Sequence, residues 1–389
     1  MTNVTTRQHA DLRLHAAIAA LNRGDMATAR REIEPVVESA YVRIEAWLVL
    51  AIATRRLGDY AVSETAADKV LAIDPGNLRG MIIKGDCRAT ANDARAARSF
   101  YQAVIAAAHA ASNPPPEIAG ELERITAYCQ ATAAEYRDYL EDYITRAGVP
   151  RSRRFQDSLD LLFGTKQLFL QQPSVFYFPG LPQIQFYERS SFPWLADLES
   201  ATDAIRDELL ALLESEGGFV PYVADKKNRP HGDFHGLNGN PDWSALHIYQ
   251  DGAPVAANVA RAPRTFAAMQ DVPLCHCAKR TPGVMFSLLR AHTRIPAHNG
   301  MLNTRLICHL PLIVPPGCGF RVGNEVREWV PGNTLIFDDS IEHEAWNDSD
   351  QDRVILLFDI WRPELSLEER AAVSAIFEAI DSYGGGPAM

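Results

Sequence analysis

The sequence predicts a multidomain α and β protein, in which an α-helical repeat solenoid precedes a β domain of sandwich or barrel type. Residues 1 to about 147 are rich in Ala, Arg and Glu and show helical periodicity. From about residue 174, Pro, Gly and aromatic residues become frequent, and short apolar runs alternate with turn signals. The strand-rich half also carries two histidines, His298 and His343. A double-stranded jelly roll would place both on neighbouring strands around a central cavity.

Length and composition restrict the classes of protein that fit. The 389 residues suit two or three domains, and 47% hydrophobic with 22% charged residues is typical of a globular chain. The net charge of −11 argues against nucleic-acid binding and offers no basic face to a membrane. No signal-peptide core or apolar run of membrane-spanning length is seen, and the cysteines are sparse. We therefore expect a cytoplasmic protein.

A 34-residue spacing organises the helical half. The dipeptides that recur at this spacing are Gly24-Asp25, Gly58-Asp59 and Asn92-Asp93. Gly and Asn suit a turn between helices because both tolerate a left-handed backbone. The period and the residues around it fit the tetratricopeptide pattern of paired helices. The spacing predicts about three repeats between residues 10 and 111, and an irregular helical bundle is the alternative.

The predicted boundaries divide the chain into a repeat domain (1–147), a helical linker (148–175) and a β domain (176–389). Prolines at 114–116 break the helical pattern, and a long amphipathic helix is expected from Glu117 to about Arg146. A further helix is expected over 194–214. The predicted strands are 219–223, 243–249, 284–290, 303–314, 318–322, 333–337 and 353–361.

His298 and His343 are candidate metal ligands, because neutral imidazole suits Fe(II). Iron oxygenases usually add one carboxylate, two residues after the first His, where the side chain points the same way from a strand. That position is Gly300 here. Either the histidines bind no metal, as hydrogen-bonded core residues, or the metal has two protein ligands and an extra open position.

Three polar residues lie on apolar runs of the same half. Arg353 stands in a strand ten residues after His343, where a cation is costly unless it meets an anion. Its planar fork matches a carboxylate, such as that of 2-oxoglutarate, and a structural salt bridge is the alternative. Arg305 and His309 are separated by an even number of residues, so they face one side of their strand, which would be the cavity side.

The stretch from about residue 283 to 364 resembles the oxygenase domain of the aspartyl/asparaginyl β-hydroxylase family. The matching runs include His298-Asn299-Gly300, Asn303-Thr304-Arg305-Leu306, Phe337-Asp338-Asp339-Ser340, Glu342-His343-Glu344-Ala345-Trp346 and Trp361-Arg362-Pro363. Tetratricopeptide repeats ahead of the oxygenase domain are also similar to the family's animal members. The chain departs from some members at Ile307, where they carry a second Arg.

The resemblance implies a double-stranded β-helix of the jelly-roll or cupin-like type, with Fe(II) held by two histidines and no carboxylate. His298 and His343 match those metal ligands. The residues that match the 2-oxoglutarate site are Ser287 and Arg353 at the five-carbon end and His309 near the oxo acid. Arg305 matches an arginine that meets the substrate carboxylate.

The function expected from this resemblance is that of an Fe(II)/2-oxoglutarate-dependent dioxygenase, with O₂ as second cosubstrate. It would hydroxylate an unactivated C–H bond, the β-carbon of an Asp- or Asn-type residue in a peptide or protein. One alternative is the same enzyme class acting on a small molecule, as a hydroxylase or a halogenase. A second is a non-catalytic binding protein. In each case the concave surface of the repeats could hold a protein partner.

Overall fold

A computed structural model describes residues 7–111, 118–215, 218–223, 236–277 and 279–383. The chain divides into two compact units, with the boundary between Gln156 and Asp157. We call them the helical unit and the β unit. No helix in the described ranges is long and apolar enough to cross a membrane.

The helical unit consists of three helix pairs and one long helix. The helices are α1 (Arg7–Asn22), α2 (Met26–Val37), α3 (Ile44–Arg56), α4 (Tyr60–Ile73), α5 (Leu78–Thr90), α6 (Ala94–Ala110) and α7 (Ala119–Arg146). A further helix, α8 (Arg153–Leu162), runs across the boundary between the units. The three predicted repeats between residues 10 and 111 are confirmed as three helix pairs. The predicted Pro-rich break and the start at Glu117 lie outside the described residues.

The 34-residue period has a visible structural cause in the turn inside each pair. Gly24 and Gly58 adopt φ of +83° and +81°, and Asn92 takes the same left-handed region at +58°. The aspartate after each of them is the N-cap of the next helix and accepts a hydrogen bond from a backbone N–H three residues on. The turn residue and the cap therefore recur together because each pair needs both.

The β unit contains two antiparallel sheets. Its elements are, in chain order, α9 (Leu195–Ser200), α10 (Thr202–Glu214), β1 (Val220–Pro221), β2 (Trp243–Gln250), β3 (Ala253–Pro254), α11 (Ala256–Val259), α12 (Pro263–Ala268), β4 (Val284–Leu289), β5 (Thr293–His298), β6 (Arg305–Ile313), β7 (Cys318–Val322), β8 (Glu325–Arg327), β9 (Leu335–Phe337), β10 (His343–Asn347), β11 (Arg353–Trp361) and α13 (Leu367–Ser382). The larger sheet has the order β1-β2-β4-β11-β6-β9, with β3 beside β2, and the smaller has the order β5-β10-β7-β8.

The larger sheet uses its two faces differently, because successive side chains of a strand alternate between them. One face packs on the helices: Leu246, Phe286 and Phe358 share a buried cluster with Ile205 and Leu209 of α10. Residues of the other face, such as Leu289 and Ile307, share a second cluster with Phe320 and Ala345 of the smaller sheet. The second face and the smaller sheet therefore enclose an interior in which a site can lie.

Several predicted elements need correction. The expected helix over 194–214 is two helices, α9 and α10, with Ala201 between them. The strands β3, β5, β8 and β10 were not predicted, and His298 is the last residue of β5. Sequence patterns missed β5 and β10 because neither contains an apolar run: β5 buries only Ile295, and β10 buries alternate side chains.

Candidate active site

The two sheets of the β unit enclose a cavity of about 270 Å³. Its lining includes every site residue predicted from the sequence: Ser287, His298, Arg305, His309, His343 and Arg353. The larger sheet supplies Ser287, Arg305, His309 and Arg353, and the smaller sheet supplies both remaining histidines. Side chains that are distant in sequence therefore meet in one interior space.

His298 and His343 face each other across neighbouring strands. They pair directly in the β5–β10 ladder, and their ring centroids lie 4.1 Å apart. Each ring contacts the carbonyl oxygen two residues earlier through Nδ1, at 2.8 Å from Pro296 and 3.0 Å from Ile341. A carbonyl can only accept, so both Nδ1 atoms carry the hydrogen. In a neutral imidazole the lone pair then belongs to Nε2, which is the state a metal requires.

The electrostatics of His343 keep its ring neutral. Burial, aided by the neighbouring His298, lowers the pKa of His343 to about 3. Among the described residues, no group of three His, Cys, Asp or Glu side chains is arranged to hold a metal ion. A divalent cation bound here would therefore have the two imidazoles as its protein ligands and would leave positions for other molecules.

Gly300 occupies the position at which iron oxygenases usually carry a carboxylate. A Cβ atom at Gly300 would overlap the side-chain carboxylate of Asp339, and the Gly300 amide donates to the Asp339 backbone carbonyl at 2.6 Å. Burial raises the pKa of the Asp339 carboxyl to about 6, although the charge of Arg305 opposes this. The space beside Gly300 is thus taken by an acidic side chain from elsewhere in the chain. Sequence reasoning missed Asp339, although its Asp-Asp-Ser turn was visible.

Arg353 is a buried cation in the cavity wall. Its side chain is 1% exposed, and no carboxylate of the described residues lies within ion-pairing distance. Nη1 contacts the Ser287 carbonyl at 3.5 Å, and Nε has no hydrogen-bond partner. Burial lowers the pKa of the guanidinium to about 10. The predicted alternative, a structural salt bridge, is not seen among the described residues.

His309 shows the opposite tautomer to the two paired histidines. The indole Nε1 of Trp329 lies 3.3 Å from its Nδ1, and an indole N–H can only donate. The hydrogen of a neutral His309 ring is therefore on Nε2. Burial, with the charge of Arg353, lowers the pKa of His309 well below its usual value and keeps the ring neutral. His309 can thus donate a hydrogen bond to an anion, and nothing in the sequence pattern pointed to Trp329.

Arg305 is neutralised by acids of the chain. Its Nη1 lies 2.9 Å from Oδ2 of Asp359, and its Nη2 lies 3.4 Å from Oδ2 of Asp339. Although burial opposes the charge, these carboxylates raise the pKa of the guanidinium. Its buried Nε has no hydrogen-bond partner, and the residue lines the cavity.

A fully buried ion pair shapes the turn before His343. Arg362 and Asp338 are both 0% exposed and meet at 2.7 Å. Asp338 also accepts hydrogen bonds from Ser340 and from the amide of Gln171. This network fixes residues 338–341, whose last carbonyl orients the His343 ring. The resemblance included Arg362 and Asp338, but the pairing is visible only in three dimensions.

Part of the β unit matches a known protein family. Residues 199–363 match the family described as Aspartyl/Asparaginyl beta-hydroxylase. Over those residues, the chain is similar to the aspartyl/asparaginyl β-hydroxylase family. The resemblance seen in the sequence is thereby confirmed for this part of the chain.

The match to individual relatives is partial. The human aspartyl/asparaginyl beta-hydroxylase is 35% identical over 181 residues, which are 46% of this chain and 22% of the relative. An ornithine lipid ester-linked acyl 2-hydroxylase from Rhizobium tropici is 36% identical over 182 residues, 46% of this chain and 60% of the relative. The mouse aspartate beta-hydroxylase domain-containing protein 1 is 31% identical over 254 residues, which are 62% of this chain and 66% of the relative. The chain thus spans less than two thirds of the length of these relatives.

Solved structures similar to part of the chain include two bacterial proteins. PcrH from Pseudomonas aeruginosa has a TM-score of 0.28 at 16% identity and covers 32% of this chain and 92% of its own. The type III secretion translocator chaperone SycD from Yersinia enterocolitica has a TM-score of 0.30 at 14% identity. The match covers 35% of this chain and 91% of SycD. The assignment of the helix pairs rests on their own 34-residue period and turn geometry.

Proposed function

We propose that this chain is an Fe(II)/2-oxoglutarate-dependent dioxygenase that hydroxylates an unactivated C–H bond. The balanced reaction converts the substrate C–H, O₂ and 2-oxoglutarate into C–OH, succinate and CO₂. The observation that carries the proposal is Arg353, a buried guanidinium that meets no carboxylate among the described residues, in a cavity that also holds the paired His298 and His343. A dianionic cosubstrate would supply the missing charge, and the histidines would supply metal ligands.

The residues of the cavity divide into ligands for the metal and for the cosubstrate. His298 and His343 would hold Fe(II) through Nε2, because their Nδ1 atoms are engaged by backbone carbonyls. Arg353 and Ser287 would hold the far carboxylate of 2-oxoglutarate. Ser287 accepts from the Trp243 indole at 3.3 Å, which leaves its own O–H as a donor. His309 would donate from Nε2 to the oxo-acid end. Bound Fe(II) would supply O₂ activation coupled to decarboxylation of the cosubstrate.

The architecture suits this chemistry. Two antiparallel sheets that face each other across one cavity support the proposal of a double-stranded β-helix of the jelly-roll or cupin-like type. Apolar rings of Phe320 and Phe337 line the cavity and keep it poor in water, which strengthens charge interactions inside. The domain boundaries at 147 and 175 and the cytoplasmic location stay predictions.

The relatives narrow the type of carbon that would be hydroxylated. The β-carbon of an aspartyl residue and carbon 2 of an acyl group are both methylene carbons beside a carbonyl. We propose an Asp- or Asn-type residue of a peptide or protein as substrate, with the carbonyl group oriented by the remaining donors of Arg305. The Rhizobium relative favours a second candidate, an acyl chain of a lipid-like small molecule.

Hydroxylation fits this cavity better than halogenation. A halogenase would need room for chloride at the position of the missing carboxylate. Here the Asp339 carboxylate already takes the space beside Gly300, and an anion next to it would be repelled. The complete set of lining residues likewise supports catalysis over a purely binding role. The three helix pairs would recruit the protein substrate or another protein partner on their concave surface.

Succinate formation tests this function. Protein supplied with Fe(II), 2-oxoglutarate and O₂ should form succinate, and replacing both His298 and His343 with Ala should abolish it. His109→Ala serves as the matched control, because His109 is exposed in the helical unit. Mass spectrometry of peptides and acylated lipids would then show which one gains an oxygen atom. Absence of succinate from the wild-type protein, or full turnover by the double variant, would overturn the proposal.

A further inference from the structure

We propose that Trp329 is a positioning residue that sets both anion-binding groups of the cavity, His309 through its N–H and Arg353 through its ring face. The inference rests on the proposed function for the identity of the ligand, 2-oxoglutarate. Trp329 is 4% exposed and lies in the segment between β8 and β9, outside every strand. Trp329 contacts both His309 and Arg353, and these contacts would keep both side chains available as hydrogen-bond donors to a ligand.

The first contact fixes the tautomer of His309. The Trp329 indole donates to Nδ1, so the hydrogen of His309 lies on Nε2. Without this donor, the ring could place its hydrogen on Nδ1 and turn a lone pair towards the ligand. A lone pair there would repel a carboxylate. It would also compete for the metal with the Nε2 lone pairs of His298 and His343. The hydrogen bond from Trp329 thus makes His309 a donor, whereas His298 and His343 have the tautomer that can bind a metal.

The second contact holds a cation without neutralising it. The Cζ atom of Arg353 lies 4.7 Å from the centre of the Trp329 ring. An aromatic face attracts a buried guanidinium but carries no net charge. A carboxylate in the same place would stabilise Arg353 more strongly and would also satisfy the N–H groups that the cosubstrate needs. An aromatic partner therefore orients the arginine and leaves its charge for the ligand.

Packing fixes the Trp329 ring itself. The ring stacks on Phe320 at 5.3 Å with an angle of 17° between planes. Phe320 and Phe337 also pack against the His309 ring, at 5.0 Å and 4.8 Å between centroids. The indole, the imidazole and the guanidinium are thus held by one aromatic group of side chains, which limits the loss of entropy when a ligand binds.

The test separates the N–H from the ring. Trp329→Phe keeps an aromatic face and removes the donor, whereas Trp329→Leu removes both. We expect the dissociation constant for 2-oxoglutarate, measured by calorimetry on Mn(II)-loaded protein, to rise about tenfold in the first and about a hundredfold in the second. Trp194→Phe is the matched control, because Trp194 packs on the helix-covered face of the larger sheet and should leave the constant unchanged.

A second readout reports the tautomer directly. The ring ¹⁵N chemical shifts of His309 in metal-free protein should show an unprotonated Nδ1 in the wild type and a protonated fraction in Trp329→Phe. A protonated Nδ1 in the wild type, or equal 2-oxoglutarate binding by wild type and Trp329→Phe, would overturn the role of Trp329. Absence of binding to the wild type would instead overturn the proposed function and the ligand named here.

Discussion

Arg353 offers a prediction in which stability and binding should change in opposite directions. The side chain is buried, meets no carboxylate of the described residues and rests on the Trp329 ring. Arg353→Met keeps a long apolar stem and removes the charge. We expect this substitution to abolish most 2-oxoglutarate binding while leaving the metal-free protein as stable as the wild type, or more stable.

The magnitudes follow from the environment. Burial lowers the pKa of Arg353 from its usual value to about 10, which corresponds to about 3 kcal/mol of unfavourable free energy in the folded state. Because the folded-state pKa of this base is lowered, the cost is present at neutral pH and declines as pH rises above about 10. The ring contact offsets roughly 0.5–2 kcal/mol. Removing the charge should therefore raise the free energy of unfolding by about 1–3 kcal/mol. Binding should lose about 1.5–3 kcal/mol, tenfold to more than a hundredfold in affinity.

Thermal unfolding with and without ligand measures both effects. In the wild type, 2-oxoglutarate with Mn(II) should raise the melting temperature, because a ligand that binds only the folded state stabilises it. In Arg353→Met, the melting temperature without ligand should be equal to that of the wild type or higher. The rise in melting temperature caused by 2-oxoglutarate should vanish. Arg294→Met is the control, because Arg294 is exposed and pairs with Asp348 at the surface. A destabilised Arg353→Met protein that still binds 2-oxoglutarate like the wild type would refute the reasoning.

Three further outcomes follow from single contacts. Gly300→Ala should lower the melting temperature, since overpacking against the Asp339 carboxylate costs about 1–3 kcal/mol, and adding Asp339→Ala should restore it; a double variant no more stable than Gly300→Ala would contradict this. Asp338→Ala should destabilise the β unit by about 3–5 kcal/mol, measured by denaturant unfolding, because it leaves the buried Arg362 with only its longer ion pair to Glu364, at 3.4 Å. Asp93→Ala should cost the helical unit about 1 kcal/mol in the same assay, with Asp93→Ser close to wild type, and should not alter succinate formation.

The sequence predicts those parts of the structure that depend on local rules. The helix pairs follow from a turn residue with positive φ and an N-cap at a fixed period, both of which are readable in one dimension. The position of Arg305 and His309 on one face of a strand follows from their even spacing. His298 and His343 could be chosen because of the runs around them, and the structure places them as direct partners in one ladder.

The remaining features depend on packing between distant segments. Trp329 lies between strands, so no periodicity marks it. Its proposed positioning role depends on contacts with His309 on β6 and Arg353 on β11. The Asp339 carboxylate reaches the space beside Gly300 only because the turn before β10 folds back on the end of β5. Such contacts are set by the tertiary fold, and a single sequence contains no spacing rule for them.

The central claim is that one cavity holds a metal on two histidines and a dicarboxylate on Arg353. A crystal structure of the protein with Mn(II) and 2-oxoglutarate, grown without O₂ and phased with anomalous data, tests it most directly. We predict one anomalous peak within bonding distance of Nε2 of both His298 and His343, and a dicarboxylate that extends from the metal to the Arg353 guanidinium. A peak elsewhere in the chain, or a cavity that holds neither the metal nor the dicarboxylate at saturating concentrations, would contradict the account.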